Sequence, residues 1–255
     1  MTGLRERLCK GETVFGTMVR DALTLNVVDA LLWAGLDFFV LDMEHTGLDL
    51  SVISSLLQYA YVRGLAAIVR VPALDKVFIG RVLDCGANGV WLPHLDSPEE
   101  AKRLAFLGRY PPQGGRGATI PWFKRTKTQE FSKLSDFFAN EDRQVALIGQ
   151  IESKVAVDNI EDILATGILD AVVIGPLDLS MDLGVPGELQ HPLVEEAVSV
   201  VLRASQKYKV SVGLHTANLE NLRLWRQRGM NFLVYSYDLV LMAERARAAR
   251  HELLG

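Results

Sequence analysis

Cysteine is scarce in this chain: Cys9 and Cys85 are the only two in 255 residues. Their spacing matches neither a metal knuckle nor a disulfide framework, and a chain of this length does not need covalent staples. Reduced thiols acting as small apolar filler are expected, and with them a cytoplasmic location. Excess charge is missing too. Lys and Arg number 27 against 31 Asp and Glu, for a net charge of −4, so no global field draws in nucleic acid or an anionic membrane. No run approaches the roughly 18 apolar residues that a membrane span requires. The opening MTGLRERLCKGE is mixed in charge and has no apolar stretch of the kind a signal peptide needs. Three absent motifs narrow the chemistry. No GxGxxG turn follows the first apolar run, no Walker-type phosphate loop occurs, and there is no GxSxG elbow.

What the chain does contain is a rhythm. Short apolar runs alternate with longer amphipathic ones, as in a parallel sheet wrapped by helices. Strands are predicted at Thr13–Val19, Asp37–Met43, Ala66–Val71, Gly89–Leu92, Val145–Ile151, Ala171–Ile174, Val210–Leu214 and Phe232–Tyr235. Helices are predicted among the intervening segments, at Ser51–Arg63, Pro98–Leu107, Lys154–Ala165, His191–Tyr208, Leu219–Arg228 and Leu239–Leu254. Eight such units in 255 residues favour one closed α/β domain over residues 1–255, a (β/α)₈ TIM barrel, rather than an open doubly wound sheet. One segment breaks the rhythm. From Tyr110 to Thr128 the chain reads YPPQGGRGATIPWFKRTKT and follows the fourth helix rather than a strand. A loop of that length either covers a site or an interface, or is a plain surface excursion.

In such a barrel the working surface is the C-terminal rim, where strand ends and βα loops converge. Strand two runs into Asp42, Glu44 and His45; strand three ends in Arg70, and Pro93-His94 follow strand four. Strand five closes with Gln150-Ile151-Glu152, strand six with Gly175-Pro176-Leu177-Asp178-Leu179-Ser180, and strand seven with His215-Thr216. Singly, each has a bland explanation as a salt-bridge partner or a satisfied structural group. Their convergence points to a site.

Glu152 and Asp178, at the ends of neighbouring strands, suit a hard divalent ion such as Mg²⁺ or Mn²⁺, because carboxylates come without thiolates or paired imidazoles. The duller alternative is an N-cap for Asp178 and a rim salt bridge for Glu152. An ion held by two protein oxygens leaves room for the carboxylate and keto oxygens of a 2-oxo acid, and acts on the keto group as a Lewis acid. The Gly175-Pro176-Leu177-Asp178 turn enters a helix whose free N–H groups can seat a carboxylate. Arg70, fixed on a strand, is placed to stabilise charge on an enolate oxygen. His45, with two acids within three residues, is the candidate base, and spacing makes Asp42 its partner. No lysine lies at a predicted strand end, which argues against a Schiff-base mechanism.

Several segments together resemble the HpcH/HpaI aldolase family of metal-dependent, class II pyruvate aldolases. They are Leu41-Asp42-Met43-Glu44-His45, Val69-Arg70-Val71-Pro72, Arg81-Val82-Leu83-Asp84-Cys85-Gly86-Ala87, Tyr110-Pro111-Pro112-Gln113-Gly114-Gly115-Arg116-Gly117, Gln150-Ile151-Glu152 and Gly175-Pro176-Leu177-Asp178-Leu179-Ser180. They occur in the family's order over roughly residues 12 to 240. The resemblance implies a barrel of the pyruvate/phosphoenolpyruvate type and reversible cleavage of a 4-hydroxy-2-oxo acid to pyruvate and an aldehyde. It implies a divalent cofactor (Mg²⁺, Mn²⁺ or Co²⁺) on Glu152 and Asp178, with the oxo acid held by Gln150 and the backbone at Leu177 and Asp178. It makes His45 the base, Arg70 the transition-state stabiliser, and Asp84 the acid that raises the basicity of the histidine. It also implies a homohexamer, a trimer of dimers, whose last helix, here Leu239–Leu254, is exchanged between subunits. Departures from the family pattern fall at His94, His215 and the segment around Trp122, which are expected to meet the aldehyde half of the substrate.

Two rival readings have their own signatures. An acyl-CoA lyase of the citrate lyase beta or malyl-CoA type needs a basic path to the CoA phosphates, for which Arg116, Lys124, Arg125 and Lys127 are the candidates. A non-catalytic metabolite-binding scaffold would have lost rim acids, and here all are present.

Overall fold

The computed structural model of the chain describes residues 3–255. Eight parallel strands, β1 (Val14–Val19), β2 (Phe38–Asp42), β3 (Ala66–Arg70), β4 (Gly89–Leu92), β5 (Ala146–Ile151), β6 (Ala171–Ile174), β7 (Ser211–Thr216) and β8 (Phe232–Tyr237), close into a barrel in sequence order. Closure is made by β1 against β8, in the register Val14 to Phe232 and Gly16 to Val234, with a shift before Met18 and Tyr237. Each predicted strand is present, β4 and β6 with the predicted ends and the others with ends moved by one or two residues. The largest changes are at β7 and β8, which run on to Thr216 and Tyr237, so that His215 lies within a strand rather than after it.

Side chains alternate between two buried layers, because successive Cβ atoms in a strand point to opposite faces. One layer fills the barrel: Val14, Met18, Phe38, Val40, Ile68, Trp91, Ala146, Ile148, Ala171, Val173, Phe232 and Val234. Phe38 and Phe232 stack there with centroids 4.8 Å apart. Glycine makes the room: a Cβ on Gly213 would lie 1.5 Å from the Phe232 carbonyl oxygen, and one on Gly16 would lie 2.5 Å from that of Phe38. The other layer, including Phe39, Leu41, Val69, Val90, Leu147 and Val172, packs outward against the helices.

Those helices carry recognisable ends. Asp49 caps Leu50–Arg63 through the Ser51 and Val52 N–H groups, and Gly64 closes it in the left-handed region at φ 80°. Ser97 and Glu100 form a capping box on Pro98–Gly108. The predicted Lys154–Ala165 helix is broken at Asn159 into Lys154–Asp158 and Ile160–Ala165. Among the described residues no helix is long and apolar enough to cross a membrane.

The N-terminal rim is closed. The short Leu4–Cys9 helix sends buried Leu4 and Leu8 against the barrel interior, and Ser211 Oγ donates to the Leu8 carbonyl at 2.8 Å. The Tyr110–Thr128 segment lies at this same end. Arg116 donates to Asp84 at 2.7 Å, at the C-terminus of the Lys76–Asp84 helix. Phe123 packs edge-on against Tyr61, near the end of the Leu50–Arg63 helix, and Lys124 is buried in an ion pair with Glu141. A loop that follows a helix in a (β/α)₈ barrel leads into a strand start, so within one chain it cannot cover the opposite mouth. Ligands have the C-terminal mouth.

Candidate active site

The inward alternation of the strands, continued past their ends, builds the site. Above Phe38 and Val40 in the interior column comes Asp42, and above Ile68 comes Arg70. Gln150 and Glu152 follow Ala146 and Ile148, Gly175 follows Ala171 and Val173, and His215 follows Ser211 and Gly213. Five columns of the wall thus end in a polar group or a glycine at one mouth.

Arg70 organises the near side. Its Nε donates to Asp42 Oδ1 at 2.9 Å and its Nη2 to Oδ2 at 2.8 Å, a two-point pair in which both residues are buried. Burial alone would raise the Asp42 carboxyl. The Arg70 guanidinium, with the Glu44 and His45 backbone N–H groups, outweighs it and holds the group below the usual carboxylate range. Arg70 Nη1 is 3.1 Å from Glu44 Oε2 and 3.5 Å from Gln150 Oε1. The contact with Glu44 is an ion pair without hydrogen-bond alignment, because that buried oxygen has no hydrogen-bond partner among the described residues.

Gln150 links the apolar plug to the acid. Its carbonyl oxygen accepts from Trp91 Nε1 and its amide donates to Glu152 Oε2. Glu152 is 2 % exposed, and this burial pushes its carboxyl up. The His94 N–H and Gln150 oppose the rise, and nearby Glu44 adds to it. Its other oxygen, Oε1, accepts from the His94 backbone N–H at 2.7 Å and lies 3.1 Å from His94 Nδ1.

The expected residues meet unequally. Asp42, Arg70, Gln150, Glu152 and His94 form one connected set. Asp178 stands in the first turn of the Pro176–Asp182 helix, half-buried, with Pro176 opening the turn and no side chain capping it. Among the described residues the Leu177 and Asp178 N–H groups have no side-chain partner at that end. Gly175, which begins this turn, lies against the acid: a Cβ there would fall 2.6 Å from Glu152 Oε2 and 2.9 Å from Gln150 Nε2. The His45 side chain is 52 % exposed, with Nε2 3.7 Å from Glu44 Oε2. Asp42, the partner that spacing selects, takes the His45 backbone N–H at 3.4 Å and spends its oxygens on Arg70. His215 sits below the mouth, its Nε2 3.3 Å from the Ser236 carbonyl and its ring edge-on to Tyr237. Burial, followed by the opposing Ser236 contact and the charge of Arg70, brings its pKa down to about 4.

Two expectations need correction within a single chain. Asp84 pairs with Arg116 at the N-terminal rim and not with His45, because a helix that returns from the mouth delivers its last residue to the far end. Trp122 is at that end too, 82 % exposed beside Arg125, and does not face the site of its own chain.

Two residues at the mouth were given no role by sequence, Glu44 although it was placed at the rim and Arg20 because it was not read at all. Glu44 continues the Phe38, Val40, Asp42 alternation and lies within reach of Arg70, His45 and His94. Arg20, directly after β1, reaches Asp42 Oδ2 at 3.3 Å, stacks over Tyr237 and donates to the His45 carbonyl at 2.9 Å. Reading the residue after the first strand as after the others would have found it.

Comparison with known proteins agrees with this architecture. Residues 23–244 match the model of the family described as HpcH/HpaI aldolase/citrate lyase. A hydroxypyruvate/pyruvate aldolase of Roseovarius nubinhibens is 34% identical over 221 residues, covering 86% of this chain and 84% of that one. A 5-keto-4-deoxy-D-glucarate aldolase of Salmonella paratyphi C is 32% identical over 206 residues, covering 81% and 79%. The crystal structure of an HpcH/HpaI aldolase from Desulfitobacterium hafniense superposes with a TM-score of 0.90 at 31% identity, covering 100% of this chain and 98% of that one. With its closed barrel, its polar C-terminal mouth and a family match over most of its length, the chain belongs to the HpcH/HpaI aldolase/citrate lyase family and is a carbon–carbon lyase of the aldolase kind.

Proposed function

We propose that this lyase cleaves a 4-hydroxy-2-oxo acid reversibly to pyruvate, or a close 2-oxo acid, and an aldehyde, with Glu152 and Asp178 holding a divalent ion. The observation that carries the reading is the joining of Trp91, Gln150, Glu152, Arg70 and Asp42 into one buried hydrogen-bonded set at a single mouth. The donor set fits a cation. Glu152 is a buried carboxylate with no lysine or arginine in ion-pair contact among the described residues, and Glu44 and His94 bring further ligand atoms within 4.8 Å of it and of each other. Support for Asp178 as its companion is the contact of the Gly175 turn with the Glu152 carboxylate. A divalent ion there supplies a Lewis acid for the keto group.

The chain's own groups do the rest. Gln150 and the uncapped N–H groups of Leu177 and Asp178 hold the oxo acid. Arg70, locked by Asp42 on two of its nitrogens, keeps Nη1 towards the mouth, where it offsets the negative charge that grows on the keto oxygen as the C3–C4 bond breaks. His45, open to solvent at the rim, takes the 4-hydroxyl proton. Names of the relatives, which specify hydroxypyruvate/pyruvate and 5-keto-4-deoxy-D-glucarate, support a small hydroxylated oxo acid as substrate.

The acyl-CoA reading loses its basic path. Arg116 and Lys124 are paired with Asp84 and Glu141 at the closed rim, with Arg125 and Lys127 beside them. A homo-oligomer, expected as a hexamer, belongs to the proposal. Its support is the Asp238–Leu254 helix, which buries no side chain within its own chain. A mass of 28.2 kDa in light scattering at working concentration would remove it.

The direct experiment follows pyruvate release from a panel of 4-hydroxy-2-oxo acids with Mg²⁺, Mn²⁺ or Co²⁺. Turnover is expected to vanish in excess chelator and to fall at least about a hundredfold in Glu152→Gln and Asp178→Asn. Full turnover in chelator refutes the metal mechanism.

A further inference from the structure

His94 is expected to meet the aldehyde half of the substrate, and its setting is unusual for a specificity residue. The backbone is in the left-handed region, φ 49°, which residues other than glycine seldom adopt. That conformation turns both the backbone N–H and the ring towards the same acid: the N–H reaches Glu152 Oε1 at 2.7 Å and Nδ1 is 3.1 Å from the same oxygen. The far side of the ring is held as well, with Nε2 3.4 Å from Glu44 Oε1. Glu44 is anchored in turn by Arg70 at 3.1 Å.

These spacings have a meaning beyond a salt bridge. A divalent ion binds nitrogen and oxygen at about 2.1 Å, so two ligands on it lie roughly 3.0 Å apart along an octahedral edge or 3.4 Å along a tetrahedral one. The separation of Nδ1 from Glu152 Oε1 falls in that range, while the other ring nitrogen meets a carboxylate, the arrangement that orients metal-bound histidines. Glu44 presents Oε1 to the ring while Arg70 holds its other oxygen, Oε2, so the orienting acid is itself fixed in place.

We propose that His94 Nδ1 is a ligand of the divalent ion held by Glu152, oriented through Nε2 by Glu44, and that this chain therefore favours ions that accept imidazole (Co²⁺, Ni²⁺ and Zn²⁺) over Mg²⁺. The inference rests on the metal site of the proposed function and adds a nitrogen to its oxygens. Imidazole strengthens binding of these ions, whereas Mg²⁺ gains little from nitrogen and keeps its oxygen shell. A His94 that would hold the ion is withdrawn from contact with the aldehyde half.

The test uses the full-length protein freed of metal. Affinities for Co²⁺, Zn²⁺ and Mg²⁺ are measured by calorimetry, and nitrogen coordination is read from the ¹⁴N modulation in pulsed EPR of the Mn²⁺-loaded protein. Variants are His94→Asn, which tolerates the left-handed backbone, His94→Ala, and Glu152→Gln. Wild-type protein is expected to show imidazole modulation that both His94 variants lose. Co²⁺ and Zn²⁺ are expected to bind the variants at least about tenfold more weakly, with Mg²⁺ changed by less than about threefold. Binding that depends on Glu152 but not on His94, without nitrogen modulation, overturns this inference and leaves the carboxylate site standing. An absence of metal binding in the wild type overturns both.

Discussion

At the scale of single residues, the mouth works because charges were placed where the wall stops being apolar. The Asp42–Arg70 pair is buried, so its geometry matters more than its charge. Arg70→Lys keeps the cation but replaces a planar fork with a point charge that cannot satisfy both Asp42 oxygens and still face the mouth. Its kcat should fall by roughly two to three orders of magnitude with the fold retained, and a fall of less than about threefold contradicts the stabilising role. His215 gives a pH test. Its folded pKa, about 4, lies below the ordinary histidine value of 6.5, so the unfolded chain binds the extra proton more readily and stability falls as pH drops from about 6.5 towards 4. His215→Gln removes that liability. Relative to the variant, the wild type should lose stability by about 3 kcal/mol between pH 7 and pH 4 in urea titrations. Parallel curves for the two proteins contradict it. Sequence disclosed that polar groups gather at one mouth, since strand ends in a barrel share one rim. It did not disclose their pairing. Asp42 is close to His45 in sequence, but strand alternation turns its carboxylate inward to Arg70 and leaves the imidazole facing solvent.

At the scale of elements, the strands were readable because β-branched and aromatic runs bounded by turn residues have few other uses. The Leu4–Cys9 helix was not, because six residues give no periodicity to detect. Tyr110–Thr128 shows a different failure. Its composition marked it as irregular, but the decisive feature was topological: it follows a helix, so it lies with the strand starts, and Trp122 goes with it. The turn after β6 is the element that most directly couples fold to site. Gly175 has φ −94°, open to any residue, so alanine there meets no backbone penalty. Its methyl would instead press on Glu152 and Gln150. Gly175→Ala should keep its melting temperature within a few degrees and lose at least about tenfold in metal affinity. Unchanged affinity would show that the acid has room to move. Gly213 is the structural counterpart, since a Cβ there meets the β8 backbone itself rather than movable side chains.

At the scale of the whole molecule, the barrel is a one-ended vessel. Aromatic rings and the Leu4–Cys9 helix plug it below, and the polar ring lies above. The Asp238–Leu254 helix is tied at its first residue, where Asp238 accepts the Asp21 and Ala22 backbone N–H groups, and then leaves the body with Met242, Leu253 and Leu254 exposed. Those exposed apolar side chains are the surface that the proposed homo-oligomer would cover. The central claim is that the ring becomes a keto-acid site when a cation completes it. Calorimetric titration of pyruvate into the protein, with and without Mn²⁺, tests this most directly. Saturable binding with Mn²⁺, and none without it or in Glu152→Gln, is the predicted result; pyruvate binding of equal strength in all three would contradict the account.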